Sequence, residues 1–380
     1  MNLKIRTTSD LENLAIKKGW LPQPTHKRKT LLPKIPFYST HCNKIFLEEE
    51  HVITKSPSTI NIKERVIVAG NNFGLIYKNY FFPLGLSHAP KWVGDDYHRV
   101  TNDSVNVPII ETDLVDMTGE RASLLGTTNH WGHFFVDALD RLKALADPNK
   151  KFLISDWNFM GCNSKLDQNG ILPQCTSIIE ALGYRIPVGN MVNVVANKYY
   201  VFDDLEVIGL LSEKPAISSD TFVHVRQLLW KNISITYKEN TSTKGFLYVG
   251  RSGQSQRSVK DEDSLENFVE QSGGEVVKLG VEPLHKVIST FSNAEKIIMV
   301  IGSAKFNLLF CKPGTKVMCV VPLGYKSGVL TMFRHICLAF ELDLFVYEVP
   351  ILNQGRVKLH SDLIISSADL NNMLSILDKP

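Results

Sequence analysis

From Phe246 to Pro322, short apolar runs alternate with amphipathic segments. Residues 245–250, 275–279, 295–301 and 315–322 read as strands. Residues 264–271 and 283–294 read as helices, with Leu265, Phe268 and Val269 on one face of the first and Leu284, Val287, Ile288 and Phe291 on one face of the second. Strands alternating with helices predict a parallel sheet with helices on its faces.

The rest of the chain is patterned differently. Residues 1–18 read as one short helix carrying Leu3, Leu11, Leu14 and Ile16. Pro22, Pro24, Pro33 and Pro36 then impose an extended path. From Ile45 to Leu114, short apolar runs broken at Gly70-Asn71-Asn72 and Gly94-Asp95-Asp96 predict β-rich structure. Its aromatic residues, Phe73, Tyr77, Tyr80, Phe81, Phe82, Trp92 and Tyr97, suit a core better than a sugar-stacking surface. Residues 120–125 lead as a strand into a helix that begins after Gly132. Strands at 151–155, 192–195, 198–202 and 205–210, with a helix at 175–182 stopped by Gly183, suggest a Rossmann-like half. A helix from Ser219 to Trp230 precedes the polar run 238–244, which reads as a linker. This places an N-terminal domain at 1–240 and a second at 241–350. A C-terminal segment, 351–380, ends in a helix over 366–377. A helix over 331–340 and a strand over 344–349 complete the second domain.

Composition narrows the function classes. The formal net charge is +3, too small to suggest nucleic acid binding. No apolar run approaches the ~18 residues of a membrane span, and residues 1–19 do not read as a secretory signal. A cytoplasmic location is expected, with Lys27, Arg28 and Lys29 as a basic cluster able to touch anionic lipid at the inner membrane face. The six cysteines show no paired metal spacing, and Cys311, Cys319 and Cys337 lie in apolar contexts as buried thiols. No G-x-G-x-x-G follows any predicted strand, which disfavours a dinucleotide-dependent dehydrogenase.

Two constellations carry chemistry. The strand ending at Ile301 turns through Gly302-Ser303 into a short helix beginning at Ala304, an arrangement that aims backbone N–H groups at the carboxyl edge of the sheet. Arg251 follows another strand, with Arg257 and Lys260 close behind. A diphosphate fits between such donors and guanidinium forks. The second constellation lies in Asn129 to Leu142, where His133, Asp137 and Arg141 recur at i, i+4 and i+8 along the expected helix. A neutral imidazole at a helix start can serve as a base, with Asp137 one turn on to orient it.

Arg251, Arg257 and Asp261-Glu262, followed by Ile301-Gly302-Ser303-Ala304-Lys305-Phe306-Asn307 and Pro313-Gly314-Thr315, resemble the C-terminal half of glycosyltransferase family 61. Asp261 stands where the family usually has Asn, Ser303 where it has Ala, Ile301 where it has His and Val287 where it has Gln. His133-Phe134, Asp137 and Leu139-Asp140-Arg141-Leu142 resemble its His-Trp, acidic and Leu-Pro-Arg-Leu elements.

The resemblance implies a GT-B-like α/β enzyme, with two Rossmann-like domains facing a central cleft, that moves a sugar with inversion from a nucleotide-sugar to a hydroxyl of a glycan acceptor. A glycan or lipid-linked glycan acceptor in bacterial capsule or other surface polysaccharide synthesis is expected. The resemblance also implies that the last helix, 366–377, packs back on the first domain. His133 is the expected base and Asp137 its partner. Arg251, Arg257, Glu262, Gly302, Ser303, Ala304 and Asn307 are the expected donor-binding residues. Asn129 and Arg141 would support the acceptor or the fold. No cofactor and no metal are expected, since no Asp-x-Asp motif closes a strand of the second half. The alternative is a non-catalytic nucleotide- or sugar-binding component of a polysaccharide assembly complex.

Overall fold

The computed structural model describes all residues except 1, 7, 22–26, 40–44, 48–49, 56–58, 70–73, 84–97, 102–103, 108, 110, 127–130, 156–165, 188, 196–197, 209–222, 230, 232–244, 252–256, 280–282, 326–327, 354–360 and 380. The chain is mixed α/β and divides into two compact units. One holds residues 1–28 and 53–221, the other residues 29–52 and 222–380.

The first unit contains two sheets. In the smaller, the strands run in the order Met191–Val194, Lys151–Ser155, Arg121–Gly126, Asp204–Ile208, Thr59–Ile62. The first four are parallel and the last is antiparallel. By chain order the parallel strands stand 3-2-1-4, the arrangement of one half of a doubly wound sheet. The larger sheet is mixed and has eight strands. Leu124, Leu153, Val194 and Val207 of the smaller sheet share one core with Val68, Leu75 and Phe202 of the larger. Tyr77, Phe81 and Phe82 are buried, while Phe73, Trp92 and Tyr97 lie outside the described residues. The helix Pro173–Ala181 closes at Gly183 (φ +85°), where Gly183 N–H donates to Glu180 O and Tyr184 N–H to Ile179 O.

Two local expectations are corrected by the structure, those for residues 1–18 and for the segment after Gly126. Residues 1–18 are not one helix: Asn2–Ile5 is a strand and Thr8–Lys17 a helix. Leu3 and Ile5 alternate with polar neighbours, and Leu3, 1 % exposed, reaches the core from a strand paired to Ser104–Asn106 and to Tyr80–Phe81. Lys27, Arg28 and Lys29 open the strand Lys27–Leu32, in line with the extended path expected there, and their side chains lie outside the described residues. The segment after the Arg121–Gly126 strand is not one regular α-helix. An α-helical turn at Trp131–His133 passes into a π-helical turn at Phe134–Ala138 and a 3-10 helix at Leu139–Ala146. Phe134 and Phe135 are adjacent and both buried, and Trp131 stacks edge-on against Phe135 with ring centroids 4.8 Å apart. Neighbouring side chains lie about 100° apart on an α-helix, so burying both favours a wider turn.

The second unit is built on one seven-stranded sheet, ordered Glu275–Lys278, Leu247–Gly250, Lys296–Val300, Lys316–Pro322, Asp343–Val349, Ile35–Ser39, Ile45–Leu47. All are parallel except the last. Ile297–Val300 and Val317–Val321 are buried throughout, as expected for strands covered on both faces. Residues 29–52 contribute two of these strands, and Arg334 in the helix Gly328–Ala339 donates to the Pro33 carbonyl at 2.8 Å. The terminal helix, Ser367–Leu377, is fixed by a reciprocal Ser366–Asp369 cap. Leu370, Met373, Ile376 and Leu377 share a core with Tyr248, Ile298, Val320 and Tyr347 of the second unit's own sheet, which needs that cover for its apolar face. Cys175, Cys311, Cys319 and Cys337 are buried free thiols.

Candidate functional site

The five strands that residues after 246 give to this sheet stand in the order 2-1-3-4-5, which reverses between Leu247–Gly250 and Lys296–Val300. Ligands in such sheets bind beyond the carboxyl ends of the strands at that reversal. The two strands pair directly, with Val249 opposite Met299, so Arg251 and Ile301 leave the sheet at the same level. The next residue, Gly302, opens the 3-10 helix Ser303–Phe310. The first N–H groups of a helix have no acceptor within it and face outward from its start.

Both arginines converge on this turn. A Cβ added at Gly302 would sit 3.5 Å from Arg257 Cζ and 3.7 Å from Arg251 Nη1, so two guanidinium groups lie against the glycine's open face. Arg251 is 8 % exposed. Burial pushes its pKa down, against the opposing pull of Glu262 and Tyr248. Arg257 is pushed down to about 10, first by burial and then by the like charge of Arg251, with Tyr325 acting the other way. Its Nε is buried without a hydrogen-bond partner among the described residues.

Local structure explains how Arg257 is held. It adopts a left-handed backbone, φ +57°, which is costly for a residue with a Cβ. The chain beyond it is pinned to Asp362 and Leu363. Ser258 N–H donates to Asp362 Oδ1 at 3.1 Å, Leu363 N–H to Ser258 O at 2.9 Å, and Lys260 N–H to Leu363 O at 2.9 Å.

Glu262 begins the helix Glu262–Gln271. Its Oε1 accepts from the Arg251 backbone N–H at 2.5 Å and from the Tyr248 hydroxyl at 3.1 Å. Burial raises its pKa, partly offset by these hydrogen bonds. Its contacts are therefore to Arg251 and Tyr248, which fixes the strand end from which Arg251 departs. Asn307, 2 % exposed, donates from Nδ2 to the Ala304 carbonyl at 3.0 Å and ties the turn together from within. Ser303 is half-buried and Ala304 buried at the helix start.

Sequence reasoning passed over Lys305. It is buried, its Nζ is 3.3 Å from the Gly302 carbonyl, and it lies 4.3 Å from the Phe306 ring centroid. Burial, then the charge of Arg257, pushes its pKa down to about 7. The signal was a lone lysine inside the apolar run Ala304–Phe310. Tyr325, acting on Arg257, was also missed.

The candidate residues of the first unit follow the Arg121–Gly126 strand. Asn129 lies outside the described residues. His133 closes the α-helical turn and Asp137 falls in the π-helical turn; the side chains of both lie outside the described residues. The expected i, i+4, i+8 line belongs to a continuous α-helix, and the passage into 3-10 geometry turns Arg141 off it. Arg141 is 2 % exposed, and its Nε donates to the Ile208 carbonyl at 2.9 Å. It braces the helix against the neighbouring strand.

Among the described residues there is no group of three or more His, Cys, Asp or Glu able to hold a metal ion. No helix among them is long and apolar enough to cross a membrane. No curated protein matches the chain. A family model does: Glycosyltransferase 61 matches residues 131–318, a stretch that runs from the His133 turn through Arg251, Arg257 and Glu262 to the Gly302 turn and the strand beyond it. Over these residues the chain is similar to glycosyltransferase family 61, and the protein is a glycosyltransferase.

Proposed function

We propose that the protein is an inverting glycosyltransferase that takes a sugar from a nucleoside diphosphate donor and places it on a hydroxyl of a glycan acceptor. One observation carries this reading: the guanidinium groups of buried Arg251 and half-buried Arg257 lie against Gly302 at the reversal of a parallel sheet. The nearby carboxylate, Glu262, is engaged by the Arg251 backbone. A site with this surplus of positive charge, desolvated and fixed, is suited to charge that develops on a leaving diphosphate. The division of labour is GT-B-like, with the donor on the second unit and the acceptor's base on the first. His133 takes the proton of the attacking hydroxyl and Asp137 supports it. The positive charge that a metal ion supplies to other transferases comes here from the two arginines, so the reaction runs without metal. A role in bacterial capsule or other surface polysaccharide synthesis, on the cytoplasmic side of the membrane, fits this chemistry.

A thermal-shift panel of UDP-, GDP-, CMP- and dTDP-sugars, with and without EDTA, tests the reading, because a bound donor raises the melting temperature by mass action. The expected result is one strong hit that Arg251→Ala abolishes and EDTA leaves intact. In the matching turnover assay, His133→Ala lowers the rate by about 100-fold or more while the donor's melting shift persists. A hit unaffected by Arg251→Ala moves the donor elsewhere, and loss of activity with EDTA overturns the metal-independent step.

A further inference from the structure

Lys305 is a cation placed where little favours one. Ala304, Phe306, Leu308, Leu309 and Phe310 around it are buried, and it is itself 5 % exposed. Burying an ammonium is costly unless it is paired, and no carboxylate among the described residues pairs with it. Its ammonium donates to the Gly302 carbonyl, which also accepts the Lys305 backbone N–H at 3.3 Å, and lies over the Phe306 ring. The charged and titratable groups that act on it are Arg257, which repels it, and the buried Cys319 thiol on the next strand. All of these leave its positive charge short of a counter-charge.

We propose that Lys305 is a positioning residue of the donor site: its ammonium grips the Gly302–Ser303 peptide from behind and adds a third positive charge to those of Arg251 and Arg257 when the diphosphate binds. This rests on the donor-site reading above. In a trans peptide the C=O and N–H point in opposite directions. The Lys305 backbone N–H and its ammonium together hold the Gly302 carbonyl toward Lys305, which turns the Ser303 N–H away from it. An anion at the turn supplies the charge that Lys305 lacks and draws a proton onto it. Because Lys305 titrates near neutrality when the site is empty, donor binding is coupled to proton uptake around physiological pH. Loss of the diphosphate after transfer releases that proton and loosens the grip on the turn.

The test uses the full chain and inorganic pyrophosphate, the group common to all nucleoside diphosphates. Calorimetry in buffers of different ionisation enthalpy counts the protons taken up. Wild type is expected to take up as much as one proton more per pyrophosphate than Lys305→Met. From about pH 7 to about pH 9, wild-type affinity is expected to fall more steeply than that of Lys305→Met, by up to a further ~10-fold per pH unit. Lys305→Arg, charged at every pH, is expected to keep the affinity and lose the extra proton. Equal proton counts in wild type and Lys305→Met, with Arg251→Ala still abolishing binding, overturn the Lys305 proposal and leave the donor site standing. Failure of wild type to bind pyrophosphate at millimolar concentration overturns both. Should Lys305→Met not fold, the Arg substitution decides: an unchanged proton count in Lys305→Arg overturns the proposal.

Discussion

The Glu262 carboxylate accepts the backbone N–H of Arg251 at 2.5 Å, across the turn between the strand that ends at Gly250 and the helix that begins at Glu262. This bond sets where Arg251 leaves the sheet. Glu262→Ala strands a buried N–H and the Tyr248 hydroxyl, which costs about 1–3 kcal/mol. Urea denaturation reads that loss. The donor's thermal shift is expected to shrink as well, because Arg251 loses its anchor. Glu262→Gln keeps an acceptor oxygen and is expected to preserve most of both.

Gly302 offers an unusual separation of folding from binding. Its φ of 168° is extended backbone open to any residue, and an added Cβ meets the arginines only at ordinary contact distance. Gly302→Ala is therefore expected to fold with a stability change under about 1 kcal/mol. The methyl group fills the space between the guanidinium groups, and donor affinity is expected to drop about tenfold or more, equivalent to ~1.4 kcal/mol. Donor binding by Gly302→Ala equal to that of wild type would move the diphosphate off this turn.

Lys305 gives stability a pH dependence of defined sign. Its folded pKa, about 7, lies below the value near 10.4 of an unfolded lysine. Between those values the unfolded chain binds more protons, so stability from this group rises with pH, and the full penalty applies below about pH 7. Lys305→Met removes the penalty. This substitution is expected to make the protein more stable than wild type at about pH 7, and the advantage is expected to be about 2 kcal/mol smaller at about pH 9. Denaturant midpoints at the two pH values check this, and an advantage independent of pH would contradict it.

Arg141 tests the other unit. Its bond to the Ile208 carbonyl is buried, so Arg141→Ala leaves that oxygen unsatisfied and opens a cavity. A loss of about 2–4 kcal/mol is expected. Donor binding, measured by the thermal shift below the new melting point, should be unchanged. A selective loss of donor affinity with normal stability would instead give Arg141 a part in the site.

The alternation of apolar runs and amphipathic segments after residue 246 determined the second unit's strands and helices to within a few residues. Burial on both faces of a parallel sheet leaves a hydrophobic imprint that local reading can find. The arginines and the Gly302 turn were legible for a related reason, since both follow strands and a strand's end is a local event. What the sequence did not hold were relationships between distant segments. The recruitment of residues 29–52 into the second sheet depends on an open edge beside Asp343–Val349, and nothing in the local pattern announces an edge. The docking of the last helix on its own unit depends on which apolar face lay uncovered. The π-helical turn around Phe134 arose because two adjacent aromatic rings were both claimed by the core. Lys305 looked like an ordinary helical lysine until tertiary packing sealed it behind Gly302, and only that desolvation gives its charge a consequence. Residue type and spacing decided what chemistry the chain could offer, and burial, a property of the assembled whole, decided where it lies and how strongly it acts.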